Sequence, residues 1–176
     1  MNSFIRIRET FAITLFCLIA FAVSGVVNAA TIQILEGTPV KLKFKKDLKI
    51  TSGAFKKNDI IPITLDQPID MNGIILVGAG AEGQARVVEV EKAKRGGKPG
   101  SIKIEFVEIK PNGKFNLSEG DAINLKGGQI EATGKKKGFW PYCFFKFILK
   151  GGEAEIETDK VYEVEVAETV LMQSNE

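Results

Sequence analysis

From Val40 to Lys45 the chain alternates strictly, Val40, Leu42 and Phe44 being apolar and Lys41, Lys43 and Lys45 charged. Side chains on a strand point to opposite faces in turn, so this stretch predicts a strand with one face buried and one wet. The same rhythm recurs at Ile32 and Ile34, at Leu48 and Ile50, from Ile60 to Leu65, and at Ile102, Ile104 and Phe106. It returns at Phe115 and Leu117, Ile123 and Leu125, Ala154 and Ile156, and Tyr162, Val164 and Val166. Turn chemistry separates these runs at Asp66-Gln67-Pro68, Asn72-Gly73 and Pro111-Asn112-Gly113. No window beyond the first thirty residues carries a helical period. The prediction is therefore an all-β fold, a small closed barrel or a sandwich of short antiparallel strands, whose corners the 18 glycines supply.

Three further details bear on how such a sheet is assembled. Ala85 to Ala93 and Ile102 to Phe106 flank the loop Lys94-Arg95-Gly96-Gly97-Lys98-Pro99-Gly100, which predicts a long hairpin. Ile74-Ile75-Leu76-Val77 is continuously apolar and reads as a strand buried on both faces. The lysine row at 41, 43 and 45 has acidic counterparts in Glu163 with Glu165 and in Glu153 with Glu155 and Glu157. Opposite charges facing each other across neighbouring strands fix register, so the first strands are expected to pair near the last.

Residues 1–29 read as a cleavable helical signal peptide. Arg6 and Arg8 form a positive n-region, Phe11 to Val23 an apolar h-region, and Val27-Asn28-Ala29 a small-residue cleavage site. Residues 30–171 are then a single β domain, long enough to bury a core, and residues 172–176 a polar tail. Processing removes two arginines and one glutamate, so the formal charge falls from +2 to +1. A chain so near neutrality lacks the basic excess of a dedicated nucleic-acid binder. The expected location is the periplasm or cell envelope.

Phe139-Trp140-Pro141-Tyr142-Cys143-Phe144-Phe145-Lys146-Phe147-Ile148-Leu149 holds six of the 15 aromatic residues and the only tryptophan. Both parities of this block are apolar. It predicts either a core strand or a surface that meets a partner, since large exposed apolar patches are uncommon on soluble monomers. Lys94, Arg95 and Lys98 in one loop and Lys135, Lys136 and Lys137 in another are expected to form a basic rim beside it. The candidate contact surface is accordingly Phe139, Trp140, Tyr142 and Phe144 with those six cations.

Several chemistries are excluded or disfavoured. The chain has no histidine, which removes Ser-His-Asp and Cys-His catalysis and the usual zinc sites. Cys143 is the only cysteine after Cys17 of the signal, so the mature chain forms no internal disulfide. Gly78-Ala79-Gly80-Ala81-Glu82-Gly83 matches the dinucleotide fingerprint in letters. The next residues, Arg86 to Glu91, read as strand, whereas the fingerprint needs a helix N-terminus for the pyrophosphate. Gly96-Gly97-Lys98-Pro99 has proline where a phosphate loop needs Ser or Thr. Asp66 with Asp70, and Glu119 with Asp121, fall in turns. They are the candidates for a small hydrolase, and the 66–70 turn lacks the ligand spacing of a calcium loop. No cofactor, metal or catalytic residue is assigned.

At Glu36-Gly37-Thr38-Pro39-Val40, Ile50-Thr51-Ser52 and Val77 to Gly83 the chain resembles small exported bacterial envelope β-domains and, more distantly, the barrel of the conjugative-transfer outer-core protein. The likeness runs from Leu35 to Glu168. It implies a non-enzymatic envelope module and transfers no functional residue. The expected function is binding or assembly with an envelope protein partner, with peripheral lipid or glycan binding through the aromatic block and lysine loops as the alternative.

Overall fold

A computed structural model describes residues 31–135 and 150–174. The signal segment and the aromatic block, with Lys136, Lys137, Phe139, Trp140, Tyr142 and Phe144, lie outside the described residues. All regular structure among the described residues is β, in fourteen strands.

Six of these strands close into an antiparallel barrel. They are β2 (Pro39–Phe44), β4 (Ile60–Leu65), β7 (Glu82–Glu91), β8 (Ser101–Ile109), β10 (Ile123–Lys126) and β13 (Tyr162–Val166). Hydrogen bonding runs in the order β10, β13, β2, β4, β7, β8, and β8 then pairs back to β10 through Ile123 opposite Ile109 and Asn124 opposite Glu108. The alternation seen in the sequence fills the interior: Val40, Leu42 and Phe44 of β2, Ile61, Ile63 and Leu65 of β4, and Ile102, Ile104 and Phe106 of β8 are buried. Ala85 and Val87 of β7, Ile123 of β10 and Val164 and Val166 of β13 complete the lining. Within the barrel Phe44 stacks on Phe106 with ring centroids 5.8 Å apart, and the half-buried Tyr162 meets the two rings at 5.5 and 5.9 Å. Such aromatic pairs contribute about 0.5–1.5 kcal/mol beyond their area burial. The Tyr162 hydroxyl donates to the Glu157 carbonyl at 2.6 Å, which satisfies its polar tip.

The remaining strands decorate the barrel. β1 (Thr31–Ile34), β14 (Val170–Ser174) and β9 (Phe115–Leu117) form a three-stranded sheet with β14 in the middle. β3 (Ile50–Thr51) pairs with β12 (Glu155–Ile156), β5 (Ile69–Met71) with β6 (Ile74–Val77), and β11 (Ile130–Thr133) continues along β8. β8 thus serves two partners on one edge, β10 at its C-terminal end and β11 at its N-terminal end.

The expected hairpin is the β7–β8 pair, and the first barrel strand does pair with the last, Glu163 standing opposite Lys41. The rest of the lysine row finds acids elsewhere: Lys43 reaches Asp66 at 2.9 Å and Lys45 reaches Glu82 at 3.2 Å. Two expectations need correction. The run Ile74 to Val77 is not buried on both faces, because β6 pairs only with β5 and Ile74 and Ile75 are exposed by 45% and 57%. Residues 172–174 belong to β14 rather than to a polar tail, and Met172 is fully buried because the β1–β14–β9 sheet packs it on the core.

Gly127 and Gly128 carry the chain from β10 to β11, both at positive φ (75° and 64°). Gly128 has no room for a side chain, since an added Cβ would collide with Val164 Cγ1 and stand 3.1 Å from Phe106 Cδ2. Gly127 faces open space. Gly127→Ala is therefore expected to cost about 1 kcal/mol from φ alone, and Gly128→Ala about 2–4 kcal/mol as overpacking adds to it. Thermal unfolding of the two variants side by side reads the difference, and equal melting temperatures would refute the packing argument.

A basic junction at one end of the barrel

The β7–β8 connection and the two chain ends that bracket residues 136–149 meet at one end of the barrel. β11 runs antiparallel to β8 with Thr133 opposite Ser101, which brings Lys135 beside the start of β8. From there the contacts are made by backbone. The Gly134 amide donates to the Gly100 carbonyl at 2.8 Å, the Gly100 amide to Gly152 at 2.9 Å, and the Gly152 amide to Lys135 at 3.2 Å. The Gly151 amide donates to the Lys94 carbonyl at 3.2 Å, and Arg95 and Lys150 form an antiparallel bridge. The glycines are sterically required. A Cβ on Gly134 would strike the Gly152 carbonyl, and one on Gly151 would strike the Lys98 carbonyl.

Beneath this junction lies a polar clasp. Ser52 is fully buried, and its hydroxyl donates to Glu153 Oε2 at 2.6 Å while accepting from the Ala154 amide at 3.0 Å. The same carboxylate accepts from the Ala93 amide at 3.2 Å and pairs with Lys150 Nζ at 2.7 Å. Glu153 therefore ties together the loop after β3, the loop after β7 and the residues leading into β12. The hydrogen bond from Lys150, followed by those from Ser52 and Ala93, holds its carboxyl at about 2, well below the usual range. A Ser–Glu–Lys set invites a catalytic reading, but this one has no nucleophile in reach of solvent. Its carboxylate is also too weak a base at neutral pH to activate one. It is a structural clasp.

Of the candidate contact residues, the fold brings Lys94, Arg95, Lys98 and Lys135 together at this junction, all of them exposed. Among the described residues, ion pairs engage Lys43, Lys45, Lys49, Arg86, Lys126, Lys150 and Lys160 but none of those four. The clasp residues Ser52, Lys150 and Glu153 escape sequence reading. Ser52-Gly53 carries only a turn signal, and nothing local shows that a loop serine is buried against a glutamate 101 positions away.

Of the carboxylates proposed from the sequence, Asp66 pairs with Lys43 at 2.9 Å, and Asp70, Glu119 and Asp121 are exposed. Among the described residues no group of three or more acidic or thiol side chains could hold a metal ion. The glycines from 78 to 83 lead into β7, a strand, so the dinucleotide reading has no helix to stand on. On the outer wall, Ile60, Pro62, Glu82, Gln84, Lys45 and Lys110 line an open depression of about 220 Å³ that lacks buried polar groups to orient a ligand. No known protein family, curated protein or solved structure matches the chain.

Glu153→Gln is expected to lower stability by about 1–2 kcal/mol, the lower part of the range for charged hydrogen bonds because the carboxylate remains partly solvated. The sign of its pH dependence follows from the lowered pKa. The carboxylate's contribution is complete above about 4.5 and is lost as pH falls toward about 2. Urea unfolding should thus separate wild type from Glu153→Gln by the full margin at pH 7 and by a clearly smaller one at pH 3, where the unfolded carboxyl is protonated but the folded one is still largely ionised.

Proposed function

We propose that this chain is an exported, non-enzymatic binding module of the cell envelope, which assembles with its partner through the end of the barrel that carries Lys94, Arg95, Lys98 and Lys135. The observation that carries this reading is the backbone junction. It gathers Lys94, Arg95 and Lys98 of one loop and Lys135 of another, remote in sequence, around the chain ends of the one stretch richest in aromatic residues. Both features are general marks of contact surfaces. Unpaired cations steer an anionic partner, and aromatic side chains supply most of the contact energy once it arrives. A rigid β scaffold suits such a role because it holds loops in place without taking part in the contact itself.

Export is supported by the n-region, h-region and small-residue site of residues 1–29, and the envelope setting by the resemblance to exported β-domains. The partner is an envelope component, a protein in the first reading. The lysine-bracketed aromatic stretch favours lipid as the second.

A photo-crosslinker installed at Lys98 in cells should trap a discrete adduct in the envelope fraction, and the same group at Lys114 should not. Lys114 follows the opposite end of β8. Equal trapping from both positions, or none from Lys98, would overturn the assignment of this end as the contact surface.

A further inference from the structure

We infer that Asn72 is a site of spontaneous covalent modification, at which the chain's own backbone attacks the asparagine side chain; this stands apart from the binding reading above. Asn72 and Gly73 form the tight turn of the β5–β6 hairpin, since Met71 pairs with Ile74. Both lie at positive φ, 53° and 81°, and both are exposed. Asn-Gly suits such a turn, and it is also the pair in which the attack is least hindered, because the residue supplying the nitrogen has no side chain. Nothing stands within 4 Å of the place that a Cβ on Gly73 would take, so the approach is open.

The Gly73 amide nitrogen gives up its proton to solvent base and bonds to Asn72 Cγ. The side-chain nitrogen takes up a proton and departs as ammonia, leaving a cyclic imide. Water then opens either imide carbonyl. One product is aspartate and the other isoaspartate, in which the main chain runs through the former side-chain carbon. The net change is water consumed and ammonia released, with nothing oxidised or reduced.

Ring closure requires the Asn72 backbone to rotate out of its left-handed turn, so the rate follows how readily the hairpin tip opens. β5 and β6 form a two-stranded sheet of their own. Such hairpins are marginal by themselves and open at low local free energy. Ile74 and Ile75 beside the turn are exposed, whereas Ile69, Leu76 and Val77 at the base are buried, which confines the opening to the tip. The other Asn-Gly pair, Asn112-Gly113, is restrained. Its Asn112 carbonyl accepts from the Gly78 amide at 3.2 Å, and a Cβ on Gly78 would stand 3.0 Å from Asn112 Oδ1, so the carboxamide lies against the turn before β7. Asn58, also at positive φ, precedes Asp59, whose amide donates to the Lys56 carbonyl at 3.2 Å. Asn72 therefore reacts first. Isoaspartate adds a backbone carbon to the turn, and either product adds a carboxylate two residues from Asp70, so the tip unpairs while the base stays packed.

The test is ageing of the folded mature chain at mildly alkaline pH, followed by peptide mapping with fragment mass spectra. Asn72 should convert to aspartate and isoaspartate at least about tenfold faster than Asn112. In the urea-unfolded chain the two should convert within about threefold of each other, because there only the shared Asn-Gly sequence acts. Asn72→Gln, whose longer side chain closes the corresponding ring poorly, should remove most of the ammonia released by the folded chain. An Asn112 that converts as fast as Asn72 in the folded chain, or an Asn72 that converts only after unfolding, would overturn the inference. In the aged chain, amide exchange at Ile74 and Ile75 should quicken by about tenfold or more while thermal unfolding of the barrel is unchanged. Unchanged exchange would refute the loss of the turn.

Discussion

The structure depends on a short seam. Two residue pairs, Ile123 with Ile109 and Asn124 with Glu108, convert an open sheet into a ring, and every barrel strand thereby has two neighbours. Closure removes the exposed edges that an open sheet would offer to other chains. It also faces the inward side chains of opposite walls toward one another, so Phe44, Phe106 and Tyr162 from three different strands meet as one cluster. The seam is short because β8 is shared. Its remaining edge is taken by β11, and the chain moves from one arrangement to the other within Gly127-Gly128-Gln129. The place of Gly128 against Val164 and Phe106 shows how closely that change of course passes the core.

Sharing β8 also sets up the basic junction. Because β11 follows the N-terminal half of β8, it delivers the chain to the β7–β8 connection, and residues 135 and 150 come to lie beside Lys94 and Arg95. The clasp of Ser52 and Glu153 then braces this corner from below. Topology rather than sequence proximity thus concentrates the cations. A chain near overall neutrality still has one end with a marked charge.

Much of this was legible in the residues, for identifiable reasons. Alternation exposes barrel strands because each has one dry and one wet face, and the β7–β8 hairpin shows itself through a glycine and proline turn between two alternating runs. Charge pattern was informative about β2 and β13, since Lys41 faces Glu163, but not about Lys43 and Lys45, whose acids come from the turn after β4 and from β7. An apolar run was misleading at Ile74 and Ile75. Periodicity reports that side chains are greasy, not that anything covers them, and a two-stranded hairpin has no second layer to do so. Met172 shows the reverse case, the first residue of a stretch that reads as a polar tail, which a small sheet nevertheless buries. Of the candidate contact residues, the sequence shows which cations occur in loops; the meeting of Lys94, Arg95, Lys98 and Lys135 at one corner is a product of strand order. The clasp stayed hidden because burial of Ser52 is decided by Gly100 and Glu153, both remote in the chain.

The junction between residues 94–100, 134–135 and 150–152 is sewn by main-chain groups and lined by glycines. Its hydrogen bonds are consequently indifferent to which side chains are spliced between Lys135 and Lys150. The entropy of closing a loop grows only with the logarithm of its length. The barrel corner therefore fixes where the chain leaves at Lys135 and where it returns at Lys150 through main-chain contacts alone.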